Sequence, residues 1–135
     1  MRKLILIAVI LMLAAPAFSQ TWYPANQVTI AWDAVPKVLP TDQANKYQVY
    51  SRNDLVSLGN KVGGEITATQ LLISLTVEGR YYLGVESIRY PQGETVGIPS
   101  GTKAWSNVAE ATNNNPFGIL FFTAPAAPGG LRRVP

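Results

Sequence analysis

The sequence predicts an all-β domain built as an antiparallel β-sandwich, and three observations carry that expectation. Apolar residues recur at every second position in short runs, the spacing of half-buried strands. Clusters of Gly, Pro, Asn and Asp separate those runs at turn-like intervals. No segment combines helix caps with an apolar stripe at 3.6-residue spacing, so nothing supplies the crossover helices that a parallel sheet needs. Short strands with frequent turns and no βα alternation point to two packed antiparallel sheets. Each sheet should have one packed face and one wet face.

Residues 1–19 stand apart from the fold. Met1-Arg2-Lys3 is a short basic start, Leu4 to Phe18 is an apolar run, and Ala17 and Ser19 place small residues at −3 and −1 of a cut before Gln20. This is the layout of a bacterial-type secretory signal peptide. The competing reading is a retained membrane anchor, which needs about 20 apolar residues in a row. The run is interrupted by Pro16, and without any cysteine the chain cannot carry a lipid anchor on a lipobox thiol. Of the formal net charge of +3, Arg2 and Lys3 contribute two, which leaves the mature chain at +1. Its Lys and Arg are scattered singly apart from Arg132-Arg133, so no basic face for nucleic acid is expected. An exported chain with no cysteine must hold its fold through its apolar core.

Taken in order, Gln27 to Trp32 alternates Val28, Ile30 and Trp32 inward against Gln27, Thr29 and Ala31 outward. Asp33 to Asn45, with Pro36 and Pro40, reads as a loop. Lys46 to Arg52 is a second strand with Tyr47, Val49 and Ser51 on one face, and Tyr50 outward. Leu55 to Val62 can form a short edge strand closed by Gly63-Gly64. Leu71, Ile73 and Leu75 mark the next strand, Glu78-Gly79 the turn, and Arg80 to Tyr90 the longest strand. Along it Tyr81, Leu83, Val85 and Ser87 share one side, and Tyr82 faces outward. Pro91 to Lys103 is a Gly/Pro-rich loop, and Ala104 to Thr112 predicts a further strand around Val108.

Four fragments carry a family resemblance. VTIAWDAV (Val28 to Val35), KYQVYSR (Lys46 to Arg52), LTVEGRYYLGVES (Leu75 to Ser87) and SNVAEAT (Ser106 to Thr112) resemble strands B, C, E–F and G of a fibronectin type III domain. The resemblance implies an immunoglobulin-like sandwich over about Gln27 to Thr112. It implies core roles for Trp32, and for Leu75 and Tyr81 as the two members of a tyrosine corner. Ser87 stands where the family usually has alanine. Gln20 lies only twelve residues before Trp32, and Pro24 falls between them, so strand A should be short or missing.

The other end holds a surplus. FGILFFT (Phe117 to Thr123) reads as an additional C-terminal strand, and Ala124 to Pro135 resembles a linker and the opening of a following strand A. The domain plan is therefore a signal peptide at 1–19, a sandwich at 20–112 and a tail at 113–135. The apolar strand either covers an open edge of its own domain, pairs with a second copy or a partner, or belongs to a disordered tail. Asn113 to Asn115 reads as a polar linker.

With no histidine and no cysteine, the common general bases, thiol nucleophiles and most zinc and haem ligand sets are missing. The eight acidic residues are spaced singly and read as solvated charges rather than a catalytic pair. No phosphate-cradling loop, EF-hand-type calcium loop or RGD triplet occurs. No catalytic, metal or cofactor site is expected. Candidate ligand or partner contacts are the aromatics Trp22, Tyr23, Tyr90, Trp105, Phe117, Phe121 and Phe122, the alternative being that these rings cap the core. The expected function is a non-catalytic interaction or structural module, secreted, periplasmic or on the cell surface. Its partner would be a protein or glycan, with no nucleic acid and no stable membrane span once the signal is removed. The rivals are a carbohydrate-binding accessory domain and a subunit that self-associates through residues 117–123.

Overall fold

The alternation of Val28 and Ile30 with Thr29 and Ala31 folds as expected, into a strand that turns its apolar side chains onto a second sheet. The structure, a computed structural model, describes residues 20–135; the signal-peptide reading falls on residues outside that range. The fold is an all-β sandwich. In chain order the strands are β1 (Thr21–Pro24), β2 (Gln27–Ala31), β3 (Lys46–Arg52), β4 (Asn60–Ile66), β5 (Gln70–Ser74), β6 (Gly79–Arg89), β7 (Ile98–Pro99), β8 (Ala104–Trp105) and β9 (Phe117–Phe121). The smaller sheet is the antiparallel pair β2-β5. The larger runs β1-β9-β6-β3-β4, with β7 and β8 also paired to β6.

Between the sheets lie Ile30, Ile73, Val49, Leu83 and Ile119, flanked by Val28, Leu71, Leu75, Tyr81 and Val85. Trp32 follows β2 and is half-buried against this core, edge-on to Tyr47 at 5.6 Å between centroids. The connection from β5 to β6 crosses between sheets, and the Tyr81 hydroxyl donates to the Val77 carbonyl there. Leu75 packs on the core just before it, its N–H bonded to the Asn26 carbonyl at 2.7 Å.

The last strand beside β6 is built in two pieces. β8 pairs Trp105 with Gly84, and Ser106 N–H continues the ladder to the Leu83 carbonyl at 2.8 Å. The chain then leaves the sheet, and the Phe117 N–H returns to the Ser106 carbonyl at 2.7 Å. β9 resumes pairing with β6, Tyr81 opposite Ile119. The predicted strand through Val108 is therefore corrected: residues 107–116 are an excursion of turns around a 3-10 turn at Glu110–Thr112. Asn113 and Asn114 reverse it with φ of 51° and 64°, a left-handed conformation that Asn tolerates better than most residues.

The strand at 117–121 is integral to the sandwich, and Ile119 is completely buried. β9 pairs with β6 on one edge and, in parallel, with β1 on the other. Within the chain β9 is paired on both sides, to β1 along residues 117–120 and to β6 along residues 119–121. β1 is the short first strand; it joins the larger sheet rather than lying beside β2.

Three further expectations need correction. The edge strand predicted at 55–62 lies instead at Asn60–Ile66 and passes through Gly63-Gly64. The Gly/Pro-rich loop at 91–103 contributes β7. The outer face of the larger sheet is covered rather than wet: Gln48, Arg52, Glu86, Ile88, Tyr90 and Trp105 are all buried. Trp105 lies flat against Gly84, where an added Cβ would sit 2.6 Å from its ring. The Arg52 guanidinium covers the same indole at 3.8 Å. Lys46 stacks on Tyr90 at 4.5 Å, Lys103 on Tyr50 at 4.4 Å, and Arg80 on Trp22 at 5.4 Å. These stacks of cation on ring let charged side chains cover apolar surface while their heads remain stabilised.

Candidate functional site

Diverting residues 21–24 to the larger sheet leaves one edge of β2 uncovered. Trp32 N–H donates to the Thr69 carbonyl and Leu75 N–H to the Asn26 carbonyl, so the even-numbered residues of β2 direct their backbone toward β5. By the alternation of an antiparallel pair, Gln27, Thr29 and Ala31 direct their N–H and C=O groups away from it. An unpaired strand edge is a template for another strand.

Beside the far end of this edge an open cleft of about 900 Å³ separates the two sheets. Its floor is Tyr47, Val85 and Ser87 from the inner face of the larger sheet. One wall is Ala31 to Asp33 with Val35; the other is the excursion, through Val108 and Glu110 to Asn113, with Tyr23 and Phe117 at the side. The first wall is fixed by Val35 N–H donating to the Tyr47 hydroxyl at 2.8 Å and by the Asn45 amide donating to the Val35 carbonyl at 2.8 Å. The second is fixed by the Thr112 hydroxyl donating to the Val108 carbonyl at 2.9 Å. The cleft thus mixes apolar groups, Trp32, Val35, Val85, Val108 and Phe117, with polar ones that include the carboxylates Asp33 and Glu110. Lys103 also lines it, but its ammonium is held over the Tyr50 ring.

The aromatic candidates divide between this site and the structural frame. Tyr23 and Phe117 meet edge-on at 6.2 Å and border the cleft. Trp22 packs over Gly118, where a Cβ would be 2.5 Å from the ring, and against Tyr82 at 5.5 Å. Trp105 and Tyr90 are only 9 % and 8 % exposed, and cations occupy their faces, so neither offers a ring to a ligand. Phe121 is half-buried on β9, and Phe122 is exposed just beyond it.

The acidic residues are not all solvated. Asp42 is buried and takes a bidentate ion pair from Arg89, with N···O distances of 2.8 and 3.1 Å. The guanidinium bonds, helped by the Leu39 N–H, hold its carboxyl below the usual carboxylate range. Glu86 is buried on the outer face, and Glu65 accepts the Tyr90 hydroxyl at 2.5 Å. That bond pushes the Tyr90 phenol up from its ordinary value. These groups brace the frame and lie apart from the cleft lining. Among the described residues no three His, Cys, Asp or Glu side chains gather as metal ligands. No helix of the described residues is long and apolar enough to cross a membrane.

Sequence reasoning missed the edge residues Gln27, Thr29 and Ala31 as a site, and it missed the wall at Val108 to Asn113. Pro24 and the Asn113-Asn114-Asn115 run were the available signals, the first for a diverted strand and the second for a chain reversal. No protein-family model matches the chain, and neither does any curated protein or solved structure.

Proposed function

We propose that this chain is an exported, non-catalytic interaction module of fibronectin type III type, which receives an extended partner segment along the open edge of β2 and into the adjoining cleft. The observation that carries the reading is the contrast between the two faces of the molecule. The outer face of the larger sheet is closed by stacked cations and rings, while β2 keeps an unpaired edge beside a cleft lined by both apolar and polar groups. Strand addition uses those two features together: main-chain bonds give affinity and a side-chain pocket gives selectivity. The family assignment is supported by β3, β6 and β9 lying side by side opposite β2-β5, and by the Tyr81–Val77 bond at the corner between sheets. Export rests on the basic and apolar pattern of residues 1–19.

The carbohydrate-binding alternative relied on Tyr90 and Trp105, whose faces are taken by Lys46 and Arg52. The test is to pan displayed extended peptides against residues 20–135 and compare the Thr29→Pro variant. Proline removes an N–H that faces away from β5, a change that edge strands tolerate. Peptide capture should fall about tenfold or more, the loss expected when a carbonyl of the docked peptide is left without its donor, with an unchanged unfolding midpoint. Capture that ignores Thr29→Pro, or retention of glycans with no peptide binding, contradicts the proposal.

A further inference from the structure

We infer that the segment that fills the β2 edge and its cleft is the C-terminal stretch Gly130 to Val134 of a second copy of this chain. The inference rests on the docking edge proposed above and names its occupant.

Four features of the molecule converge on it. After Phe121 the chain is anchored once more, where the Thr123 N–H donates to Glu78 at the corner preceding β6. From Ala124 onward it has no regular structure and is exposed throughout. Leu131 is fully exposed and Val134 is 79 % exposed, so apolar side chains that favour burial find none on their own domain. The tail also carries Arg132-Arg133, the one paired cationic stretch in residues 20–135, and the cleft lining carries Asp33 and Glu110.

The period of a strand matches these features to the site. In extended form Leu131 and Arg133 share one face, with Arg132 and Val134 on the other. A strand laid along Thr29 and Ala31 can therefore place Leu131 against the apolar lining formed by Trp32, Val108 and Phe117. Arg133, two residues on, then meets the carboxylate of Asp33 or Glu110. Gly130, at a φ of 65°, opens the segment and with Gly129 lets the chain change direction before it pairs.

A second copy is favoured over the same chain by where the chain's own tail lies. The tail departs from the corner end of β9, beside Gly79, whereas Phe117 at the opposite end of β9 borders the cleft. Exit and cleft thus lie toward opposite ends of the domain. Tethering gives the chain's own tail a high local concentration, yet Leu131 remains fully exposed and the cleft open. Donation of the tail closes a pair when two copies exchange tails reciprocally and builds rings or open chains when each passes its tail onward.

The absence of cysteine makes the test clean, because an introduced thiol is unique. Thr29→Cys is made in one preparation of residues 20–135 and Gly129→Cys in another, and the two are mixed with a short bismaleimide; a tail running parallel to β2 with Leu131 beside Trp32 brings position 129 level with Thr29. The expected result is a cross-linked species with one chain of each kind, together with an average mass by light scattering that rises with concentration. Leu131→Glu should cut the cross-linked yield about tenfold or more, the equivalent of losing one buried leucine. Arg133→Asp should lower the yield, and Asp33→Arg paired with it should restore part of it. Absence of mixed cross-links with a constant monomer mass overturns the inference. So does a double Thr29→Cys/Gly129→Cys chain that links only within itself, which would make the occupant the chain's own tail. In either case peptide capture sensitive to Thr29→Pro would leave the broader docking proposal standing.

Discussion

Tyr81 spans the place where the chain passes from the smaller sheet to the larger, its ring on the core and its hydroxyl bonded to Val77. A single phenolic oxygen thereby fixes the path of the corner. Tyr81→Phe keeps the ring and removes the bond, so it should lower stability by about 1 kcal/mol, the net worth of one such bond. Urea unfolding of the two proteins measures it; an unchanged midpoint would show that the corner is held by packing alone. Asp42 offers a different handle. Its folded-state pKa lies below the ordinary carboxylate value because of the Arg89 hydrogen bonds, so its contribution is present above the unfolded pKa. As pH falls below about 3.9 and through the lowered native value, that contribution is lost. Asp42→Asn should therefore reduce stability at neutral pH and flatten the acid limb of a stability–pH curve; an identical acid limb would contradict the assignment.

At the scale of elements, β9 decides whether the sandwich closes. It is the sole strand between β1 and β6 in the sheet order, and Ile119 on it is wholly buried. Ile119→Ala should cost about 2–5 kcal/mol, as truncation of a fully buried aliphatic does. A chain ending at Thr123 should unfold like the longer one, while a chain ending at Pro116 should lose cooperative unfolding by calorimetry. Cooperative unfolding of the shorter chain would make β9 dispensable. Legibility in the sequence follows the same division. β2, β3, β5 and β6 were readable because each alternates over one core face, as with Tyr47, Val49 and Ser51 or Tyr81, Leu83 and Val85. The interrupted last strand was not, because the bond between Ser106 and Phe117 joins residues that ten intervening positions separate. Ser106 to Thr112 has the alternation of a strand, yet successive turn bonds from Val108 to Asn115 take it out of the sheet. The covered outer face was equally hidden, since a charged residue such as Arg52 looks exposed until Trp105 is placed beneath it. The site shares this limit: the open edge of β2 depends on where β1 pairs, and Pro24 signals that the strand is diverted without saying to which sheet.

For the whole molecule, these arrangements give a frame with the outer face of the larger sheet closed and, among its sheet edges, that of β2 open beside the cleft. The larger sheet is fastened on its outer side by Arg52 on Trp105, Lys46 on Tyr90 and Lys103 on Tyr50, while β2 presents Gln27, Thr29 and Ala31 at an unpaired edge. Such a frame can hold a docking edge rigid. Residue-resolved amide hydrogen exchange on residues 20–135 tests this most directly. In dilute solution the Thr29 and Ala31 amides should exchange rapidly while those of Val28 and Ile30, turned toward β5, are protected. Raising the protein concentration, or adding a peptide that spans residues 122–135, should slow Thr29 and Ala31 selectively. Equal protection of Thr29 and Ile30 in the dilute protein would contradict the open edge. Thr29 and Ala31 amides that stay fast at every concentration of protein and peptide would contradict the tail as its occupant.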